Sequence, residues 1–373
     1  MGGRERSLRD VPGSSARLLP QALAAVWPRN DYFAALPSET VSVRVLICDP
    51  MPESFVKLLK ERGLEVGFAN SPPPQLLKEL AVGYDALIVR SATKVTAEVI
   101  EASPKLKVVA RAGAGLDNID VEAAARRGVK VVNVPEAVAN AVAELTLALI
   151  FSLLRSVPQA VESLRAGRWD KRLFVGRELA GMTVGVVGLG NIGTLVAEKL
   201  IALGARVIAY RRNRQLLERE TARIGATAAS SLEDLLRRSE LVTLHVPYTP
   251  ETHHLVNSTN IRLLPKGSFL VNTSRAWIVE GRALLEALNS GILEGAAIDV
   301  HYHEPPREDW EWELIKHPRV VATPHIGAQT REAGERISQL LAERLLAALL
   351  SERAKDLSGR ARGSPYVWAT TST

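Results

Sequence analysis

Residues 184–193 read VGVVGLGNIG, an apolar run that closes on glycines 188, 190 and 193 and passes into the helical pattern GTLVAEKLIALG. Each glycine at that spacing serves a physical purpose: a tight turn out of a strand, close approach of backbone to a pyrophosphate, and close packing of helix on strand. The free amides and positive dipole end of a helix starting at Asn191 would then face the phosphates. Glycines so spaced recur by chance, and the apolar strand before them and amphipathic helix after them give the motif its weight. The stretch predicts a dinucleotide-binding unit, with Gly188, Gly190, Asn191, Ile192 and Gly193 at the ligand.

The next strand, ARVIAYRR at 205–212, ends where an acidic residue usually accepts hydrogen bonds from the adenosine ribose. Arg211 and Arg212 stand there instead, and guanidinium groups suit a 2′-phosphate through charge-assisted, bidentate hydrogen bonds. That favours NADP. NAD stays open if Arg211, Arg212 and Arg214 only form a solvated loop.

Outward from this centre, short β-rich runs alternate with helical periods. MTVGVVG, ARVIAY, LVTLHVP, SFLVNTS, GAAIDV and RVVATP form one series; VRVLICD, LEVGFA, ALIVR, KVVARA and KVVNV form another, upstream. Continuous apolar strands alternating with helices mean parallel sheets buried on both faces. The expected fold is α/β with two doubly wound parallel-sheet domains, a Rossmann nucleotide domain inserted into a flavodoxin-like substrate domain. The expected boundaries are a leader of unknown role at 1–42, the substrate domain at 43–140 plus 324–350, the dinucleotide-binding domain at 141–323, and a polar tail at 351–373. Open α/β sheets bind ligands at the carboxyl ends of their strands, where VNTSRAWIVEG (271–281), AIDVHYHEPP (297–306) and TPHIGAQT (323–330) would bring Arg275, Glu304 and His325 together.

Composition narrows the class further. With 46% hydrophobic and 24% charged residues, disordered and fibrous classes are set aside. The net charge of +6 comes from interspersed lysines and arginines and forms no nucleic-acid stripe, although it would welcome an anionic substrate. LTLALIFSLL (145–154) is shorter than a bilayer span and reads as a buried helix, so no membrane partner is expected. One cysteine, Cys48, inside an apolar strand excludes an intrachain disulfide and fits a reducing, cytoplasmic setting. The leader fits neither a secretory signal, being broken by Pro20, nor a transit peptide, since Glu5 and Asp10 lie among its arginines; translation starting near Val41 would account for it. The pairs His253–His254 and His301–His303 lack marked partners on other elements, and no metal site is expected.

Together and in this order, the glycine turn and the three strand-end motifs resemble the D-isomer-specific 2-hydroxyacid dehydrogenases. The stretches at 89–137 and 164–179 resemble the phosphoglycerate dehydrogenase branch of that family in detail. The resemblance implies an NAD(P)-dependent oxidoreductase acting on a small anionic 2-hydroxy or 2-oxo acid, namely 3-phosphoglycerate in serine synthesis. Glyoxylate or hydroxypyruvate reduction is the enzymatic alternative, and a non-catalytic, dinucleotide-sensing corepressor is the alternative from another class.

The resemblance also implies roles. Arg275, Glu304 and His325 form the catalytic set. The substrate carboxylate meets Arg275 and the backbone around Arg111, Gly113 and Gly115, with Ser91 and Lys94 lining the cleft. His245, Pro247, Thr273, Asp299 and Gly327 join the cofactor site, and Arg90, Lys171 or Arg172 are candidates for the 3-phosphate, the last two across a homodimer formed through the 141–155 helix. Three features depart from the family pattern: Ala276 and Trp277 after the arginine, expected to narrow the pocket; PEAVANAVAEL in place of PEGN; and no regulatory domain after the last helix.

Overall fold

The computed structural model describes residues 42–361, with side chains for 42–352. The expected leader, apart from Ser42, and the residues after 361 lie outside this range.

Five strands, β1 (Arg44–Ile47), β2 (Glu65–Phe68), β3 (Ala86–Val89), β4 (Val108–Arg111) and β5 (Lys130–Asn133), form one sheet in the order β2-β1-β3-β4-β5, all parallel. Seven more, β6 (Thr183–Val187), β7 (Arg206–Tyr210), β8 (Thr227–Ala228), β9 (Leu241–Leu244), β10 (Ser268–Asn272), β11 (Leu293–Ile298) and β12 (Val320–Ala322), form a second in the order β12-β11-β10-β9-β6-β7-β8, also parallel. The first is the flavodoxin-like order and the second is the Rossmann order with one added strand.

In the central strands, such as β3, β4, β9 and β10, the apolar runs are continuous because both faces are covered, whereas the edge strands β2 and β5 are only partly covered. In β1, Val45 and Ile47 pack toward Phe55, Leu59 and Leu341, while Leu46 packs on the opposite face with Leu77 and Ile100. In the second sheet, Val184 and Val186 meet Leu149, Ile150 and Leu200, and Val187 meets Leu235 and Leu244. Cys48 is fully buried at the end of β1, where burial, then the neighbouring Asp49 charge, push its thiol up to about 12.

The helix Pro135–Leu154 begins six residues before the expected domain boundary at 140/141 and runs through it unbroken. Pro135 occupies the first turn, where a missing N–H costs nothing. Long and apolar enough to cross a membrane by composition, this helix is instead mostly buried, packed on the helix Asn191–Ala202, on β10–β12 and on the last helix. The last helix, Arg331–Ala361, returns to the first sheet, packing against β4, β5 and the helix Glu53–Glu61, and continues into the segment expected as tail.

Candidate active site

The carboxyl ends of both sheets open onto one cleft of about 790 Å³. At the reversal of strand order in the second sheet, Gly190–Ile192 follow β6 and His245–Tyr248 follow β9; Thr273–Arg275 follow β10, Asp299 follows β11, and Pro324–Gly327 follow β12. The first sheet contributes Arg90 and Ser91 after β3, Arg111 at the end of β4, and Ala112–Asp117 after it.

His325 is held directly by Glu304 and, through its neighbours in the chain, by Asp299. Its Nδ1 lies 2.8 Å from both Oε1 and Oε2 of Glu304. A carboxylate only accepts, so Nδ1 carries the proton and Nε2 is left for the cleft. Burial works to raise the Glu304 carboxyl, but the hydrogen bond and charge of His325, with the His301 backbone N–H, outweigh it and hold the group below its ordinary value. His325 has φ +53°, a left-handed conformation that costs a histidine about 1 kcal/mol or more. Buried Asp299 holds it there: Oδ1 accepts from Thr323 Oγ1 (2.6 Å) and the Ile326 N–H (2.8 Å), and Oδ2 accepts from the Gly327 N–H (2.9 Å).

Arg275 sits on a turn that its own sequence builds. Asn272 Oδ1 accepts from the N–H and hydroxyl of Ser274, while Asn272 Nδ2 donates to the Arg275 carbonyl at 2.9 Å. The guanidinium crosses to the first sheet, Nε donating to Asp117 Oδ2 at 2.6 Å and Nη1 to the Ser274 carbonyl at 2.7 Å. Nη2 lies 1.7 Å from where a Cβ at residue 115 would be, so any side chain at Gly115 would displace the Arg275 guanidinium from this position.

Nearby Arg111 is 8% exposed, donates to the Ala112 carbonyl, and has no partner for Nε among the described residues. Burial first, then the charges of Arg275 and Arg90, lower its guanidinium to about 10. Asp49, buried and accepting from Ser71, Thr93 and the Arg90 N–H, pins the loop that carries Arg90 and Ser91. Three guanidiniums therefore face one end of the cleft.

The opposite end fits a dinucleotide. Gly190 opens onto free space at the N-terminus of the helix Asn191–Ala202, which has no side-chain cap and so leaves amides for a ligand. Gly193 is required there, because a Cβ would lie 1.8 Å from the Gly188 carbonyl. His245 bonds Thr243 Oγ1 through Nε2 (2.9 Å), and its buried Nδ1 has no partner among the described residues; burial pushes its pKa down to about 3, so it lines the cleft as a neutral ring. Thr273 Oγ1 is held 2.9 Å from Thr146 Oγ1, and Pro247 and Gly327 also line the cleft. Half-buried Arg211 donates through Nη1 to the Leu189 carbonyl inside the glycine turn, at 2.9 Å, while Arg212 is exposed and Arg214 is tied to Glu218 and the Ala229 carbonyl.

Some expected residues stand elsewhere. Lys94 is exposed outside the cleft, because its loop is clamped by Thr93 on Asp49 and by Asn118 on the Arg90 and Thr93 carbonyls. Lys171 and Arg172 are exposed on a short turn away from this chain's cleft. Trp277 does not narrow the pocket: it turns outward, 40% exposed, and packs on Tyr302 at 4.3 Å between ring centroids and beside the stacked His253 and His254. His301 Nε2 bonds the Thr323 carbonyl, and His303 Nδ1 bonds Glu311 at 2.9 Å.

Asp117, Asp49 and Glu311 carry no mark in the sequence and emerge only from the fold. Glu311 accepts from the N–H groups of His303, Arg307 and Glu308 and thereby closes the loop carrying Glu304; these bonds and His303 overcome burial and bring its carboxyl down to about 2.

Two doubly wound sheets sharing a cleft, the larger opening on a glycine turn, define the class of dinucleotide-binding α/β proteins. Residues 147–327 match the family model "D-isomer specific 2-hydroxyacid dehydrogenase, NAD binding domain". A D-3-phosphoglycerate dehydrogenase of Methanocaldococcus jannaschii is 41% identical over 316 residues, covering 84% of this chain and 59% of that one. A hydroxypyruvate reductase of Thermotoga maritima is 39% identical over 307 residues, covering 82% of this chain and 98% of that one. Among solved structures, an NADPH-dependent glyoxylate/hydroxypyruvate reductase from Sinorhizobium meliloti in complex with NADP and malonate aligns with TM-score 0.73 and 28% identity over 82% of this chain and 93% of that one. The chain belongs to the D-isomer-specific 2-hydroxyacid dehydrogenases, with their nicotinamide-cofactor domain, and spans about three-fifths of the length of the phosphoglycerate dehydrogenases it matches.

Proposed function

We propose that the chain interconverts D-3-phosphoglycerate and its 2-oxo acid with a nicotinamide cofactor, supplying serine synthesis. The observation that carries this reading is the gathering of Arg90, Arg111 and Arg275 at one end of the cleft. Buried Arg111, its Nε unpartnered among the described residues, demands an anion, and three guanidiniums together suit a substrate bearing both carboxylate and phosphate better than one bearing carboxylate alone.

In the oxidation, His325 Nε2 takes the proton of the C2 hydroxyl, as an imidazole can do reversibly near neutral pH. Glu304 fixes the tautomer through Nδ1 and stabilises the imidazolium that forms. Arg275 anchors the carboxylate and polarises the forming carbonyl, giving orientation and charge stabilisation together. A nicotinamide cofactor held by the glycine turn at 188–193 and lined by Thr273 and Asp299 would supply the acceptor for the C2 hydride, so that the loss of hydride and of the hydroxyl proton to His325 leaves C2 as the ketone. Asp299 keeps His325 in its strained conformation.

Arg211 beside the glycine turn favours NADP. A homodimer is part of the reading: Phe151, Val157, Val161, Leu164, Trp169, Leu173 and Val175 are exposed apolar residues at the end of the helix Pro135–Leu154 and along the segment after it, a patch that a second copy would cover.

A second reading, reduction of hydroxypyruvate or glyoxylate, is favoured by the end-to-end match to the Thermotoga reductase. Comparing kcat/KM for phosphohydroxypyruvate and glyoxylate, each with NADPH and NADH, separates the two: preference for phosphohydroxypyruvate supports phosphoglycerate chemistry, and preference for glyoxylate overturns it.

A further inference from the structure

Arg275 reaches the cleft from the loop after β10, and nothing described on the seven-stranded sheet holds its Nε. That edge of the guanidinium is held from the other sheet, by Asp117 at 2.6 Å, across 158 residues of sequence. The Ser274 carbonyl accepts from Nη1, and Gly115, lacking a side chain, leaves the space that Nη2 occupies. With Nε and one N–H of Nη1 occupied and the plane of the group fixed, Nη2 and the second N–H of Nη1 are the donors left for the cleft.

We propose that Asp117 is a positioning residue: it acts through Arg275, fixing the guanidinium so that its terminal nitrogens meet the substrate carboxylate. The proposal rests on the reading of Arg275 given above. A surface ion pair of this exposure, 29% and 35% for the two side chains, would contribute little to stability by itself. Its weight lies in geometry, because a long arginine free to rotate about its side-chain torsions must be ordered anew by every substrate, and a misplacement of about 1 Å can cost on the order of 10²-fold in rate. The Asp117 charge also favours the charged form of Arg111, against the repulsion that Arg275 exerts on it. The same contact joins the two sheets at the rim of the cleft, so Arg275 is placed correctly only when the first sheet's loop is in position.

The test is a double-mutant cycle on the full chain, with phosphohydroxypyruvate, hydroxypyruvate and glyoxylate as substrates and with the Kd for the reduced cofactor measured by fluorescence titration. Asp117→Ala should lower kcat/KM by about 10- to 100-fold while leaving cofactor Kd within about 3-fold. Asp117→Asn, which keeps an acceptor for Nε, should lose less than Asp117→Ala. In an Arg275→Ala background, Asp117→Ala should cost less than about 3-fold further, since a residue acting through another has nothing left to act on. Additive losses, or an Asp117→Ala enzyme with activity within about 3-fold of the parent, would overturn the positioning role and leave the reaction assignment standing. A parent chain that binds cofactor yet turns over none of the three acids would remove both.

Discussion

The two sheets meet the cleft with opposite chemistry. The loops of the seven-stranded sheet bring neutral or internally compensated groups: His325 against Glu304, Asp299 fully bonded to its neighbours, and His245 kept uncharged by burial. The loops of the five-stranded sheet bring Arg90 and Arg111, cations with few partners among the described residues. Compensated groups can be held in strained geometry, as the φ of His325 shows, and so perform a fixed reaction. Under the proposed function, these sparsely partnered guanidiniums await an anion and choose the substrate. Arg275, from one sheet but anchored by Asp117 from the other, joins the two roles.

This division can be broken by substitution. The largest effect is expected at His325. His325→Ala should lower kcat by about 10²- to 10⁴-fold with every 2-oxo acid alike, and should leave cofactor Kd unchanged. A substrate-dependent loss would blur the division.

Arg90→Ala should act the other way, raising KM for phosphohydroxypyruvate by about 10-fold or more while changing that for hydroxypyruvate by less than about 3-fold, because only the former carries the charge it awaits.

Arg211→Asp tests the far end of the cleft and should move the NADPH to NADH ratio of kcat/KM toward NADH by about 10-fold or more. An unchanged ratio would make Arg211 a structural partner of the Leu189 carbonyl only.

The smallest effect on rate, but a clear one on stability, is expected at Glu311. Its folded-state carboxyl titrates near 2, below the ordinary glutamate value of about 4.3, so its contribution is complete above that ordinary value and is lost as pH falls toward 2. Glu311→Gln should cost about 1–3 kcal/mol at pH 7 and less than that at pH 3, read by thermal melting at both values. An equal cost at both would show that the carboxylate charge plays no part.

Much of the fold and of the site is legible in the sequence, and the misses share a cause. Continuous apolar runs mark eleven of the strands, and the glycine turn marks the switch point of the larger sheet, because both signals are local. β8, two residues long and pairing only with β7, offers no run to read. Trp277 reads as a pocket residue from its place after Arg275, but the rings that draw it outward come from residues 253, 254 and 302. Asp117 lies in plain sight in AGAGLDNID, yet its partner is 158 residues away. Lys94 reads as a cleft residue by its position in a motif, and the clamp that turns its loop is made by Asp49 and Asn118. Local pattern reads elements and turns; it does not read which side chain another sheet has already claimed.

The most direct test of the division is kcat/KM of the unaltered chain for phosphohydroxypyruvate against hydroxypyruvate, two acids that differ only in the phosphoryl group. The arginine end of the cleft predicts a preference of about 10²-fold or more for the phosphorylated acid, falling toward unity in Arg90→Ala. Equal values for the two acids, or a preference for hydroxypyruvate, would contradict it.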